Sequence, residues 1–139
     1  MVRDGRRTNK IVMGIRFEKD TILNWINEMG KYMRLVVDRY TAFDETEAPM
    51  DLTEGYTDFF KKDRGFFLET DTAGLEEFIV GLEPEQIRPL AQLLMYDGLM
   101  NRDHALLKKA KFLFEWNMKK TGSFSFEDFD YLSKIDNVL

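Results

Sequence analysis

Between Asp20 and Phe43 the residues Ile22, Ile26, Met29, Met33, Val36, Tyr40 and Phe43 are spaced 4, 3, 4, 3, 4 and 3. That alternation keeps every one of them on a single face of a helix, whereas a strand would scatter them over both faces. The run predicts one long amphipathic helix over Asp20–Phe43, with Trp25, Tyr32 and Leu35 widening its apolar stripe. Asp20 suits the N-cap, where a carboxylate accepts from free N–H groups of the first turn. Gly30 interrupts the run at a cost of about 1 kcal/mol relative to Ala, and is expected to mark a close helix contact. Such a stripe can form a coiled-coil seam, but the heptads are few, so packing against the rest of the chain is expected.

The pattern then breaks at 44–52, where Pro49 and crowded acids argue for a loop. Thr53 with Glu54 is expected to cap a short helix carrying Tyr56, Phe59 and Phe60, with Gly65 ending it in the left-handed conformation. Phe66-Phe67-Leu68 reads as an extended apolar linker. Asp71 is the next N-cap, ahead of Leu75, Phe78, Ile79 and Leu82. Pro84 suits a first helical position, and Ile87, Leu90, Ala91, Leu94 and Gly98 keep helical spacing behind it. Pro89 is expected to bend the first turns of that helix or to move its start later. A further helix carries Leu106, Leu107, Ala110, Leu113, Phe114 and Met118 and closes at Thr121-Gly122. Ser123–Phe126 reads as a second extended linker. The last helix starts near Ser125, with Ser125 and Asp128 as a capping box and Phe126, Phe129, Leu132, Ile135 and Leu139 inward.

The pattern predicts no strand. The fold class is all-α, with five to six helices in antiparallel helical hairpins, either TPR-like or as an irregular bundle. Residues 17–139 form a single helical domain and residues 1–16 a flexible basic N-terminal arm. The arm carries Arg3, Arg6, Arg7, Lys10 and Arg16 against Asp4. A nucleic-acid contact, or translation starting at Met13, are other readings of it.

Leu94, Gly98, Ala110 and Phe114, in the spacing Leu94-x3-Gly98-x11-Ala110-x3-Phe114, resemble part of the tetratricopeptide-repeat consensus. The resemblance implies a helical hairpin at 86–118, in which a small residue late in the first helix lets the second approach closely. It covers about a quarter of the chain and one repeat. Asp97 and Asn101 depart from it, standing where the family favours leucine and an aromatic, and Asn117 replaces a small residue.

Residue chemistry narrows function by exclusion. In 139 residues there is no cysteine and one histidine, which removes thiolate metal sites, disulfides and a cysteine nucleophile. No metal site and no cofactor are expected. Gly122-Ser123-Phe124-Ser125-Phe126-Glu127-Asp128 looks like the end of an EF-hand loop, but Asn117 and Lys119 would fill the first ligand positions, and a lysine repels calcium. His104 lies in an Asn-Arg-Asp-His turn and reads as an exposed or capping residue, so no catalytic residue is assigned. No glycine-rich phosphate loop occurs. The net charge of −5 argues against general nucleic-acid binding, although Lys108, Lys109 and Lys111 stand beside Phe112 and Trp116. Ile11–Ile15 is too short for a signal-peptide core, and no run is long enough to span a membrane, so a cytoplasmic protein is expected.

Charge is segregated. Residues 38–58 carry seven acids against Arg39, residues 69–85 six acids and no base, and residues 102–120 six bases against two acids. The blocks read as solvated faces that attract one another within the fold, or as a basic face for an acidic partner. Aromatics make up 14% of the chain, more than a small core needs, so some are expected at a partner surface. Trp25, Tyr32, Phe112 and Trp116 lie off the main stripes and are the partner-binding candidates. The functional expectation is a non-enzymatic intracellular protein–protein interaction module or adaptor, binding another protein or itself as a homodimer through Asp20–Phe43. The alternative is a small-ligand or enzymatic bundle using carboxylates from Glu45, Glu47, Asp51 and Glu54, or from Asp71, Glu76 and Glu77.

Overall fold

A computed structural model describes residues 19–42, 50–122 and 125–139. It contains seven helices among these residues: α1 (Lys19–Ala42), α2 (Thr53–Phe60), α3 (Arg64–Glu69), α4 (Thr72–Ile79), α5 (Pro84–Asn101), α6 (His104–Thr121) and α7 (Phe126–Val138). No strand occurs among the described residues. The expected basic arm, Phe43, Glu45, Glu47 and Pro49 lie outside them.

The helix beyond the expected five to six is α3. Phe66-Phe67-Leu68 is helical rather than an extended linker, because Asp63 caps the turn by accepting from the Phe66 N–H at 2.8 Å. The left-handed residue that ends α2 is Lys61, not Gly65, which sits inside α3. At the start of α2 the N-cap is Leu52, which makes no side-chain cap bond, and Asp51 just ahead of it, rather than Thr53 or Glu54, accepts from the Thr53 N–H at 3.0 Å. Asp20, expected as the N-cap of α1, lies instead within its first turn, while other starts agree with the sequence. Asp71 accepts from Gly74, Asp103 from Leu106, and Ser125 with Asp128 forms a capping box. Gly122 ends α6 at φ 70, where a side chain would be strained. Of the second expected linker, Phe126 is the first residue of α7. Pro89 does not move the start of α5, which begins at Pro84 with the Gln86 side chain accepting from the Glu83 N–H.

Helix α5 is the centre of the domain, touching α1, α6 and α7. It is buried nearly all round, with Leu93, Met95, Tyr96 and Asp97 inside as well as the expected Ile87, Leu90, Ala91, Leu94 and Gly98. Gly98 permits the close approach of α6, since a Cβ there would lie 2.8 Å from Leu107 Cγ. On α1 the buried set is Ile22, Trp25, Met29, Met33 and Val36, so Trp25 takes the core position expected for Ile26. Ile26 and Leu35 face outward. Gly30 makes no close contact within the fold, as nothing lies within 4 Å of a Cβ built there. On α7 only Ile135 is fully inside. Phe126, Phe129 and Leu139 are exposed rather than inward, Phe126 at 92%. The first turn of α7 is held by polar contacts instead, Arg88 of α5 bonding Asp128 at 2.7 Å and Ser125 at 3.2 Å.

The polar centre of the core is Asp97, which has no exposed surface. Its Oδ2 accepts from the Tyr56 hydroxyl at 2.7 Å and from Arg64 Nε at 2.8 Å. Its Oδ1 accepts from Arg64 Nη2 at 2.9 Å and from Asn101 Nδ2 at 2.7 Å. One carboxylate thereby joins α2, α3 and α5 and leaves neither oxygen unsatisfied. Lys109 of α6 donates to the Phe67 and Leu68 carbonyls at 2.7 and 2.9 Å, a cation at the negative end of α3. The Asp97→Ala variant is expected to lose about 3 kcal/mol, because Tyr56 keeps a buried hydroxyl without its acceptor while the half-exposed Arg64 can rehydrate. Urea unfolding followed by circular dichroism measures it.

Candidate functional site

The described surface carries a chain of depressions over the N-terminal half of α5. One is an apolar cleft of about 330 Å³ between the α4–α5 turn and the end of α6, walled by Ile79, Val80, Leu82, Pro84, Ile87 and Trp116. It continues past Pro84, Asn117 and Thr121 into a shallower trough of about 470 Å³ that reaches Arg88, Pro89 and Ile26. The trough in turn meets a hollow of about 180 Å³ between α1 and α5, bordered by Ile26, Gly30, Met33, Pro89 and Gln92.

The cleft is built by local sequence. Val80 and Gly81 form the turn after α4, and Pro84 starts α5 rigidly, so Leu82 is drawn in while Val80 stays exposed. Trp116 stands on the last turns of α6 facing this turn. Its indole is fixed on two sides. Nε1 donates to Glu76 Oε2 at 3.2 Å, and Lys120 Nζ lies 5.4 Å from the ring centre. The result is a half-exposed aromatic wall beside aliphatic side chains, with a carboxylate and an ammonium at its edges.

The four partner-binding candidates separate. Trp116 lines the cleft. Trp25 is 8% exposed and belongs to the core, which corrects the expectation of a partner-facing residue. Its Nε1 donates to the Phe59 carbonyl at 3.0 Å, and its ring meets Phe59 and Phe60 edge-on. Tyr32 is half-buried, with its hydroxyl packed over the backbone of Gly55 and no hydrogen bond of good geometry. Phe112 is a partly buried side chain packed against the core. Sequence spacing missed the cleft walls because Ile79, Leu82 and Ile87 look like ordinary core residues. The one available signal was Val80-Gly81-Leu82-Glu83-Pro84, a short apolar turn ahead of a proline.

Among the described candidate carboxylates, Asp51, Asp71 and Glu76 are each engaged separately. Asp51 caps α2, and that bond from the Thr53 N–H holds its carboxyl below the ordinary carboxylate range. Asp71 caps α4, and Glu76 holds Trp116. Among the described residues no group of three or more His, Asp or Glu side chains is placed to bind a metal ion. His104 is exposed at the first position of α6. Asp97 is enclosed, and its four side-chain donors occupy both oxygens. The block of bases on α6 is spent in part within the fold, Lys109 on α3 and Lys111 on Asp136 of α7 at 2.9 Å. No described helix is long and apolar enough to cross a membrane. Comparison with protein-family models, curated proteins and solved structures finds no match in any of the three.

Two outcomes follow for the aromatic residues. With Trp25→Phe, the remaining Trp116 fluorescence should be strongly quenched by acrylamide. With Trp116→Phe, the remaining Trp25 should be shielded. Burial pushes the Tyr32 phenol up to about 12 from its ordinary 10. Below pH 10 both the folded and unfolded chains keep this phenol neutral. Between pH 10 and about 12 the unfolded chain ionises first, so stability falls as pH rises. Tyr32→Phe should therefore reduce the alkaline slope of the unfolding midpoint, and at neutral pH should leave stability unchanged or raise it by up to about 1 kcal/mol.

Proposed function

We propose that this chain is a non-enzymatic intracellular interaction module, and that it binds another protein through the Trp116 cleft. The observation that carries the reading is the cleft itself. A tryptophan pinned by Glu76 and covered by Lys120 stands against Ile79, Val80, Leu82 and Ile87, beside an exposed Val80. A rigid aromatic wall with aliphatic neighbours favours one large apolar side chain of a partner, and its charged rim selects how that side chain is presented. The wall is pre-organised, so binding orders few additional side chains.

The module is proposed to be built on a TPR-like antiparallel hairpin of α5 and α6. Supporting this are the two-residue turn Arg102–Asp103 between them and the close approach at Gly98. Leu107, rather than Ala110, fills the space over Gly98.

The full chain, immobilised, should retain a partner from a lysate of its own source that Val80→Asp and Trp116→Ala both lose. Val138→Asp, on the exposed end of α7, should retain it. Capture that is indifferent to both cleft variants would remove the cleft from the function.

A further inference from the structure

The trough beside the Trp116 cleft lies where the chain enters α1. Helices α1 and α5 run in the same sense. Ile26 borders the trough together with Pro84 and Pro89, Met33 shares the neighbouring hollow with Pro89 and Gln92, and the Tyr40 ring lies 5.3 Å from that of Tyr96. The start of α1 is therefore at the start of α5, and Lys19 stands about 10 Å along the helix from Ile26. The lining of the trough sets Ile26, Pro84 and Pro89 beside Gln92, Asn117 and Thr121. Acids outnumber bases around it. Glu85 and Arg88 line it, Glu83 precedes Pro84, and Glu127 bonds Arg88 at 3.3 Å. The Arg88 charge is offset by Asp128 as well as by Glu127. Lys120 stands further off, over Trp116 in the cleft.

We infer that the trough is the seat of this chain's own segment Ile11-Val12-Met13-Gly14-Ile15, which lies outside the described residues. Reach, composition and charge select this occupant. Ile15 is four residues before Lys19 and Ile11 eight. An extended chain carries them up to about 14 and about 28 Å from it. Ile15 therefore reaches the level of Ile26, and Ile11 the far end of the trough. The segment offers large apolar side chains with no charge among them, and Lys10 and Arg16 bracket it. Those two bases come beside Glu83, Glu85 and Glu127, so the signs are complementary at the rim while the apolar residues meet Ile26 and the prolines. The tether also matters. A segment joined to α1 by three residues samples the trough at an effective concentration in the millimolar range, so a contact too weak for a free peptide is enough to seat it.

The trough shares Pro84, Asn117 and Thr121 with the Trp116 cleft. A segment seated in the trough borders whatever the cleft holds without entering it. The two surfaces are separate, and loss of lysate capture by the cleft would leave this inference standing.

The test is limited trypsin digestion of the full chain at several protein concentrations, with mass spectrometry timing the cleavages after Lys10 and Arg16. Ile26→Gln removes the apolar contact without changing either cleavage site, and should speed both cleavages at least about tenfold. Glu85→Gln removes one rim charge and should give an intermediate rate. Both substitutions are at exposed positions, so helical circular dichroism should be retained and cleavage within α5 and α6 should stay slow. As a second readout, methyl nuclear Overhauser contacts should join Ile15 to Ile26 in the wild type. Equal rates after Lys10 and Arg16 in the wild type and Ile26→Gln overturn the inference, as does the absence of the Ile15–Ile26 contact. Protection that grows with protein concentration overturns it too, since the segment of another copy would then occupy the trough.

Discussion

Asp97 is the constraint around which the domain is assembled. A carboxylate with no exposed surface is tolerated only when both oxygens are fully bonded. Here the donors come from Tyr56, Arg64 and Asn101, residues of α2, α3 and α5. Two short helices, each too short to be stable alone, are therefore docked at one height on the long one. The net stability from such an arrangement is modest after desolvation, and its larger contribution is geometric. Sliding α2 or α3 by one turn would leave the Arg64 fork or the Tyr56 hydroxyl without its acceptor. Burial and Asp97 together push the Tyr56 phenol well above its ordinary value, so this donor keeps its proton throughout the neutral range.

From that anchor the apolar layers follow. Tyr56 stacks on Phe67 at 5.0 Å, and Phe67 meets Phe66 and Phe78 edge-on, which carries the packing from α2 through α3 to α4. The end of α4 and the turn after it then form one wall of the Trp116 cleft. The cleft thus inherits its shape from the core through α4, while α6 supplies the opposite wall.

The long helices and the caps at Asp71 and Ser125 were legible in the sequence, because an apolar period and an Asp or Ser at its start act locally. The exceptions have tertiary causes. Trp25 displaced Ile26 from the core because Phe59 and Phe60 offer it an aromatic cage and a carbonyl acceptor. Phe66–Leu68 became helical because Asp63 caps it and Arg64 ties it to a residue far along the chain. The two departures from the repeat consensus in α5, Asp97 and Asn101, proved to be bonded partners, and neither position is read correctly by its own neighbours. Of the candidate site only Trp116 was found in advance. The remaining walls come from three different elements, and spacing along one helix cannot show that the edges of the buried Ile79, Leu82 and Ile87 meet beside the exposed Val80.

Helix α7 has a different kind of attachment. Its first turn is held by Arg88, which is partly solvated, through Asp128 and the more exposed Glu127, and Lys111 meets Asp136 near its other end. Hydrophobic anchoring is concentrated in Ile135, with Tyr131 stacked on Phe114. Counterions in concentrated electrolyte compete more for the exposed Glu127 and Asp136 contacts than for the enclosed Asp97 cluster. The domain therefore has two mechanical parts: a body whose central ion pair is the better shielded from electrolyte, and a terminal clasp whose exposed contacts weaken first as electrolyte rises, over the flank of α6 that it covers.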